Sequence, residues 1–332
     1  MPRKNLRRKV KTVYLGDSLS SNLTADVENA LIVSWPNTPC SLDGLNLGDL
    51  CIDRIPIYVG DPKCINNLGF EARRVIYNYI LFGEEEILKD KIYPPSIKDT
   101  HHLWYDVLPE RYGNLYHPKD GWCSVMRVLR RRLEVPRIYA NIAGIDPVKK
   151  EIRIEGGSIL EYEKLVSTIP QDLLLTRLRG VSYDEVLKDY VHVPYNISAV
   201  IGTIEQGFGD YEVLVYALGK RRFISSHVIL VKYPATDPNS KQVLIYVLTP
   251  LKREVPRSEI LSKSISELRK IGIKVKGLSF IRSYVEKYGV VCRRGEGASV
   301  RLLAELGIEV RGRYGSWAEL SVCDIVKEAG IG

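Results

Sequence analysis

The amino-terminal segment runs in the order strand, glycine turn, helix, strand, and this order constrains the fold more than any other feature of the sequence. Residues 10–15 form a short apolar run that ends at Gly16. Residues 23–30 have a helix-like pattern, and residues 31–35 form a second apolar strand. This order opens the dinucleotide-binding unit of doubly wound α/β proteins. The sequence therefore predicts an α/β fold with a parallel sheet.

The glycine turn departs from the dinucleotide-binding fingerprint at two of its three positions. The fingerprint has three glycines, whereas this chain has Gly16, Ser18 and Ser21. The second glycine lets the backbone approach a pyrophosphate and the third lets the helix pack on the strand, so each serine takes up that room. A serine hydroxyl could instead donate a hydrogen bond to phosphate. The acidic residue that binds a ribose after the second strand is also replaced, by the run at residues 34–37. The motif is therefore degenerate or adapted to another use.

A second glycine-containing corner lies near the carboxyl terminus, at residues 312–317. Two glycines three residues apart flank an arginine and a tyrosine, and a helical run follows at residues 320–329. Glycines at such a corner permit positive φ or a close approach to a flat or anionic group. The start of the next helix offers N–H groups to an anion. The alternative is a strand–turn–helix corner in which Trp317 belongs to the core.

Three stretches occur along the chain in an order that is typical of one enzyme family. Residues 312–317 read Gly-Arg-Tyr-Gly-Ser-Trp, residues 116–122 read Tyr-His-Pro-Lys-Asp-Gly-Trp, and residues 152–170 hold a strand, a Gly-Gly turn and the run Val-Ser-Thr-Ile-Pro. They resemble the carboxyl-terminal signature, the Tyr-Pro-x-Gly-Gly segment and the return to the cofactor domain of the flavin-dependent amine oxidase superfamily. That superfamily contains protoporphyrinogen oxidase and UDP-galactopyranose mutase.

The resemblance implies an α/β fold of two lobes. A doubly wound FAD/NAD(P)-binding Rossmann-like lobe would comprise residues 1–59, 112–190 and 285–332. A mixed α+β substrate lobe with an antiparallel sheet would comprise residues 60–111 and 191–284. FAD is the implied cofactor. The implied cofactor-binding residues are Gly16, Ser18, Ser21, Gly312, Arg313, Gly315 and Trp317.

Hydrophobic periodicity predicts further elements. Helical spacing predicts helices at residues 70–82, 122–133 and 257–271. Short β patterns occur at residues 197–204, 212–217, 228–233 and 243–248. Because no helical pattern separates these strands, they predict the antiparallel sheet of the substrate lobe. Residues 165–169 are predicted to return as a parallel strand.

No catalytic triad, carboxylate pair or metal-ligand spacing is visible, so no residue is predicted as catalytic and no metal is expected. This does not count against a flavoenzyme, because a flavin accepts the hydride itself and the protein supplies position, electrostatics and exclusion of water. Tyr246, Tyr288, Arg221 and Arg222 are candidates for a substrate-binding face. The alternative for each is structural, as packed strand tyrosines and a charged turn.

The six cysteines form no CxxC pair and have no histidine at metal-ligand spacing. They are therefore expected to be buried free thiols. A low content of Gln and Met beside many Lys, Arg, Glu, Ile and Val indicates a heat-adapted, thermophilic source. Intracellular disulfides also occur in such organisms.

The net charge of +8 favours anionic partners, and much of the excess lies in residues 3–11. This arm is expected to be solvated, with nucleic-acid binding through it and through residues 130–132 as the alternative. No apolar run is long enough to cross a bilayer and no signal peptide is visible, so a cytoplasmic location is expected.

These observations leave three functions open. The first is an FAD-dependent oxidoreductase that acts on a small molecule. The second is a flavin-free, catalytically silent relative that serves as a partner subunit or scaffold. The third is nucleic-acid binding through the basic arm. The sequence does not identify the substrate, because kinship of fold does not transfer chemistry.

Overall fold

The computed structural model describes residues 7–35, 40, 42–47, 50–93, 113–205, 208–233, 242–252, 257–294 and 298–331. Within them the chain forms a mixed α/β structure with two large β-sheets and two small ones. The strands are β1 (Arg7–Leu15), β2 (Ala30–Ser34), β3 (Gly44–Leu47), β4 (Leu50–Asp53), β5 (Ala72–Val75), β6 (Tyr77–Leu81), β7 (Leu115–Pro118), β8 (Arg137–Tyr139), β9 (Ile142–Asp146), β10 (Glu151–Ile154), β11 (Ile159–Ser167), β12 (Tyr190–Ile204), β13 (Val213–Ala217), β14 (His227–Lys232), β15 (Gln242–Pro250), β16 (Val275–Arg293) and β17 (Ile308–Val310). The helices are α1 (Leu19–Thr24), α2 (Lys63–Asn66), α3 (Glu85–Ile92), α4 (Gly121–Arg132), α5 (Gln171–Leu175), α6 (Asp184–Leu187), α7 (Arg257–Lys270), α8 (Ala298–Glu305), α9 (Gly312–Gly315) and α10 (Val322–Glu328).

The first sheet has parallel strands at its centre. Its order is β8-β2-β1-β11-β10-β9, and β17 also pairs with β11. β1 runs parallel to both β2 and β11, whereas β9 and β10 add an antiparallel edge. The register of β1 on β11 extends from Arg7 opposite Ile159 to Leu15 opposite Ser167. The predicted parallel return of the chain to this sheet is therefore confirmed.

The second sheet has the order β16-β12-β15-β14-β13-β6. All its pairs are antiparallel except β13 with β6, which is parallel. The predicted antiparallel sheet is confirmed, and β12 and β16 extend it beyond the predicted strands. One face of this sheet packs on α4 and the segment after β4, where Trp122 is fully buried and its indole N–H donates to the Ile57 carbonyl at 2.8 Å. The predicted lobe boundaries themselves stay a prediction.

The helix predicted at residues 70–82 is wrong, because this stretch forms β5 and β6. Its apolar residues have helical spacing, but the stretch is rich in aromatic and β-branched residues, which favour strands. Strand pairing decides the outcome, since β5 pairs with β7 and β6 pairs with β13. The second of these pairs joins segments that are more than 100 residues apart along the chain. The predicted helices at residues 122–133 and 257–271 are confirmed as α4 and α7 within a residue at each end.

The first helix lies earlier than the pattern at residues 23–30 predicts. α1 begins at Leu19 and ends at Thr24, and Ala25 already has extended backbone angles. Asp26 explains the early end, because its carboxylate accepts the backbone N–H of Glu28 and the side-chain N–H of Asn29. Such local bonds by an aspartate compete with helix hydrogen bonds.

Four of the six cysteines form disulfides, which corrects the expectation of free thiols. Cys51 is bonded to Cys123, and Cys64 is bonded to Cys323. Cys40 and Cys292 are free. The Cys64–Cys323 bond joins α2 to α10 across 259 residues of chain, a contact that spacing along the sequence cannot indicate.

The basic arm is described only in part, since Arg3 and Lys4 lie outside the described residues. Arg7, at the start of β1, forms ion pairs with Glu151 and Glu161 of the first sheet. Lys9 is 3.3 Å from the carboxylate of Glu163. These charges of β1 are therefore partly compensated by neighbouring strands.

A buried polar cluster ties α3 and α7 to the turn between β13 and β14. The Lys91 ammonium donates to the Leu218 carbonyl at 2.6 Å and to the Ser225 carbonyl at 3.2 Å. Glu267 of α7 accepts the Ser225 backbone N–H at 3.2 Å. His227 is fully buried beside this cluster, with its Nδ1 3.1 Å from the Ser226 hydroxyl. Burial, and then the nearby Lys91 charge, lower the pKa of His227 from 6.5 to about 3.

Removing the long-range disulfide is expected to destabilise the fold. A disulfide that closes so long a loop contributes about 2–5 kcal/mol, chiefly by restricting the unfolded chain. The double variant Cys64→Ser/Cys323→Ser should lose that much free energy of unfolding in urea titrations. Cys40→Ser, which alters a free thiol, is the control and should lose less. A melting temperature that does not respond to reductant in the wild type would contradict this role of the bond.

Acid should destabilise the protein partly through His227. Its pKa is lower in the folded state, so between about pH 3 and 6.5 the unfolded chain binds the extra proton. The contribution is present above pH 6.5 and is lost as the pH falls through that window, by at most about 1.4 kcal/mol per pH unit. His227→Gln lacks this loss, so the stability gap between wild type and variant should shrink on acidification. Parallel curves of unfolding free energy against pH would contradict the assignment.

Candidate functional site

A cavity lies where the carboxyl ends of β1 and β11 meet, and we call it the first cavity. Adjacent parallel strands bring their carboxyl ends to one edge of a sheet, which is where doubly wound proteins bind ligands. The cavity encloses about 90 Å³. Its lining residues are Gly16, Asp17, Ser18, Leu19, Ser20, Cys40, Leu42, Ile57, Thr168, Ile169, Pro170, Gly312, Arg313, Tyr314, Leu320, Ser321, Val322 and Ile325.

Gly16 sits at the end of β1 in a conformation that only glycine adopts easily. Its φ is +104°, and a Cβ there would lie 2.5 Å from the hydroxyl oxygen of Thr168. Thr168 follows β11 and donates its backbone N–H to the Leu15 carbonyl at 2.8 Å. Gly16 is therefore required for the first sheet to close over this edge.

Ser18 and Ser21 satisfy each other at the start of α1. The Ser18 hydroxyl accepts the Ser21 backbone N–H at 3.2 Å, and the Ser21 hydroxyl accepts the Ser18 backbone N–H at 2.8 Å. This reciprocal arrangement is a capping box. The two N–H groups are thereby bound within the protein, and Ser21 is fully buried. The serines that replace two fingerprint glycines stabilise the helix start.

Asp17 belongs to a charged network beside the first cavity. Its carboxylate is 2.9 Å from Nε of Arg130 and accepts from the Asn22 side chain at 2.7 Å. Arg130 also lies 2.7 Å from the carboxylate of Asp43. Arg137 donates to the Asn22 carbonyl oxygen at 2.6 Å. Two carboxylates therefore share Arg130 close to the turn where a fingerprint glycine loop would hold phosphates.

The carboxyl-terminal corner packs directly on this edge of the sheet. A Cβ on Gly312, which has a φ of +68°, would lie 3.2 Å from the Ser20 Cβ of α1. A Cβ on Gly315 would lie 2.3 Å from the Ser167 carbonyl oxygen at the end of β11. Both glycines therefore let α9 approach the backbone of the first sheet and α1.

Arg313 and Trp317 fasten the corner to β16. The Arg313 guanidinium donates to the Tyr288 and Gly289 carbonyls at 3.0 and 2.6 Å and pairs with Glu319 at 2.8 Å. The Trp317 indole N–H donates to the Cys292 carbonyl at 2.8 Å, and its ring is buried among other aromatic side chains. The contacts of both side chains are structural.

The structure brings some of the predicted cofactor-binding residues together. Gly16, Ser18, Gly312 and Arg313 line the first cavity. The remaining three do not line it and are buried: Ser21, Gly315 and Trp317. Cofactor binding by any of them stays a prediction.

The four candidate substrate residues do not form one group. Tyr246 is buried and donates its hydroxyl to the Asp53 carbonyl at 2.8 Å. Tyr288 donates to the Asp172 carboxylate at 2.9 Å. Arg221 and Arg222 are exposed on the turn between β13 and β14. Substrate contact stays a prediction for each of them.

Sequence reasoning missed a buried polar group next to the first cavity. Glu286 of β16 is buried, lies 3.6 Å from the Arg54 guanidinium and accepts from the Tyr314 hydroxyl at 3.3 Å. Burial raises the pKa of Glu286, although Arg54 opposes the rise. The signal available in the sequence was a glutamate on the buried face of a long strand. Tyr314 itself lines the cavity, so this group holds a hydroxyl at the cavity wall.

Solved structures of the same fold cover almost the whole chain. Reduced UDP-galactopyranose mutase matches with a TM-score of 0.70 and 13% identity, over 97% of this chain and 92% of that one. A CLA-producing fatty acid isomerase from P. acnes matches with a TM-score of 0.65 and 12% identity, over 96% and 98%. Wild-type putrescine oxidase bound to putrescine matches with a TM-score of 0.61 and 10% identity, over 97% and 98%.

The chain therefore has the fold of these solved structures. No protein-family model matches the sequence, and no curated protein sequence matches it. Within the described ranges, no helix has the length and apolar character needed to cross a membrane. No cluster of His, Cys, Asp and Glu that could hold a metal ion occurs in that same part of the chain.

The Gly16 contact can be tested by adding a single methyl group. Gly16→Ala combines an unfavourable positive φ with overlap on Thr168, so it should lose about 2–4 kcal/mol of unfolding free energy. Gly156→Ala is the matched control, because Gly156 has a φ of +94° and, among the residues that the structure describes, no atom within 4 Å of the added Cβ. The control should lose only about 1 kcal/mol. Equal losses of unfolding free energy in urea titrations would show that the Thr168 contact does not affect stability.

Proposed function

We propose that the protein is a flavin-dependent oxidoreductase that binds a flavin in the first cavity. The observation that supports this most is the position of that cavity, at the carboxyl ends of β1 and β11 and between Gly16 and Gly312. Both glycines line the cavity and have positive φ, which lets the turn after β1 and the carboxyl-terminal corner pack closely around it. The fold shared with enzymes such as putrescine oxidase and UDP-galactopyranose mutase adds support.

The lining residues of the first cavity suit the ring of a flavin in character, but its space of about 90 Å³ is below the range of small-molecule sites, so the cavity has to widen to admit the ring. Its apolar lining side chains are Leu19, Leu42, Ile57, Leu320, Val322 and Ile325. They would cover the isoalloxazine ring and exclude water from it, while the Tyr314 hydroxyl, held by Glu286, would supply a polar contact. When bound, a flavin accepts a hydride from a substrate, and the protein's part is to position and shield it.

The adenine dinucleotide portion of FAD meets groups that are already paired. The N–H groups of Ser18 and Ser21 are bound in the capping box, and Arg130 is shared by Asp17 and Asp43. A phosphate at this turn would have to attract Arg130 away from a carboxylate. We therefore propose that contacts to the ring supply most of the affinity.

The same pairing favours a second candidate function. A chain that keeps the fold and fills its phosphate-binding turn with internal hydrogen bonds could serve as a flavin-free partner subunit or scaffold. This candidate predicts no flavin binding at any concentration, whereas the first predicts saturable binding.

Filling the first cavity should abolish flavin binding without unfolding the protein. Leu320 is only half-buried, so Leu320→Trp should occupy the cavity at little cost in stability and weaken FAD binding by about tenfold or more. Leu306→Trp is the matched control, because Leu306 is also half-buried but packs on the core of the first sheet. Quenching of flavin fluorescence during titration measures both affinities. Equal affinity in the two variants would place the flavin elsewhere, and no binding to the wild type would favour the second candidate.

A further inference from the structure

The turn after β1, where a dinucleotide-binding fold holds phosphates, contains a carboxylate in this chain. Asp17 follows Gly16, is buried and lines the first cavity. Its Oδ1 accepts from the Asn22 side chain at 2.7 Å, and its Oδ2 lies 2.9 Å from Nε of Arg130. Because a carboxylate repels a phosphate, a phosphate at this turn needs more positive charge than the amount that neutralises Asp17.

Arg130 is the cation beside this turn, and all three of its guanidinium nitrogens face oxygens of two aspartates. Nε lies near the Asp17 carboxylate, and Nη2 donates to the Asp17 backbone carbonyl at 3.3 Å. Nη1 lies 2.7 Å from Oδ1 of Asp43. Arg137 adds a second guanidinium, 3.9 Å from the Asp17 carboxylate. The two acidic and two basic side chains therefore cancel in charge.

Asp43 is anchored on Arg130 by its own backbone contacts. Its Oδ2 accepts the Cys40 backbone N–H at 3.1 Å, and its backbone N–H donates to the Cys40 carbonyl at 3.0 Å. Its carbonyl accepts the Arg54 backbone N–H at 3.2 Å. The fold therefore holds the Asp43 carboxylate on the guanidinium that a phosphate at this turn would have to bind.

The two helix starts that line the first cavity are also closed by their own side chains. At α1 the capping box binds the N–H groups of Ser18 and Ser21. At α10 the Ser321 hydroxyl accepts the Asp324 N–H at 3.1 Å, and the Asp324 carboxylate accepts the Ser321 N–H at 2.9 Å. Asp324 also places a negative charge at the positive end of α10. Both arrangements oppose the binding of an anion at these helix starts.

The remaining charge at the wall of the first cavity is neutralised as well. The charged side chains among its described lining residues are Asp17 and Arg313. Arg313 pairs with Glu319 at 2.8 Å and donates to the carbonyls of Tyr288 and Gly289. The described lining residues therefore favour the apolar ring of a flavin and give no net attraction to its phosphates.

We propose that the first cavity recognises a flavin by its ring alone, and that Asp43 suppresses recognition of phosphate by neutralising Arg130. This rests on the proposed function, because it concerns the same cavity and the same class of cofactor. Riboflavin, which has the ring and no phosphate, should bind as tightly as FAD. ADP, which has the pyrophosphate and no flavin ring, should not bind.

Isothermal titration calorimetry on the full-length protein tests this with riboflavin, FAD and ADP. In the wild type, the dissociation constants of riboflavin and FAD should agree within about threefold. Asp43→Asn leaves Arg130 with a positive charge that only Asp17 shares. The variant should therefore bind FAD about tenfold more tightly than the wild type, gain ADP binding and keep its affinity for riboflavin. The amide oxygen of the new side chain can still accept the Cys40 N–H, so the turn should persist.

Glu212→Gln is the matched control. Glu212 pairs with Arg73 at 2.6 Å, and neither residue lines the first cavity. The substitution changes the net charge by the same amount as Asp43→Asn. It should leave the affinity for all three ligands unchanged.

Two results would overturn the proposal. One is FAD binding to the wild type more than about tenfold tighter than riboflavin, which would show that the phosphates contribute. The other is an FAD affinity that Asp43→Asn leaves unchanged or that Glu212→Gln raises equally. Should Asp43→Asn fail to fold, the ratio of riboflavin to FAD affinity in the wild type decides alone.

Failure of the proposed function would give a different result, namely no binding of either flavin to the wild type. ADP then decides the role of Asp43. Binding of ADP to Asp43→Asn but not to the wild type would support suppression of phosphate binding by this residue. Absence of ADP binding to both proteins would overturn it.

Discussion

The structure depends on the parallel contact between β1 and β11, two strands separated by some 150 residues of chain. Their registered pairing brings Leu15 opposite Ser167, and the chain then turns at Gly16 against Thr168. Because Gly16 has no side chain, the Thr168 backbone can donate to the Leu15 carbonyl and complete the edge of the sheet. The first cavity exists because these two strand ends meet there.

The carboxyl-terminal segment then closes the same edge. Gly315 packs on the Ser167 carbonyl, and Arg313 binds the backbone of β16, so one short corner joins the first sheet to a strand of the second. The Cys64–Cys323 bond holds α10, the next element, against α2. Asp53 likewise joins β4 to the start of α4 and to His117. The first cavity is therefore bounded by contacts between distant parts of the chain.

The sequence predicts features that depend on local order and on motif spacing. The parallel start of the sheet, the antiparallel second sheet and the position of α4 follow from periodicity, and Gly16 and Gly312 follow from the motifs. Residues 70–82 could not be assigned in this way, because pairing of β6 with distant β13 overrides their helical spacing. The sequence could not predict the disulfides, the sharing of Arg130 by two aspartates or the Asp53–His117 pair. Each of these joins residues that only the folded chain brings together.

Flavin binding at the first cavity depends on whether a turn with Ser18 and Ser21 can support the cofactor. The most direct measurement is the visible absorption spectrum of the purified protein, recorded again after incubation with excess FAD and rapid desalting. The account predicts a flavin spectrum in the incubated sample, because the ring of each bound flavin is held between Gly16 and Gly312. A colourless protein in both samples would contradict it and leave the fold as a scaffold without its cofactor.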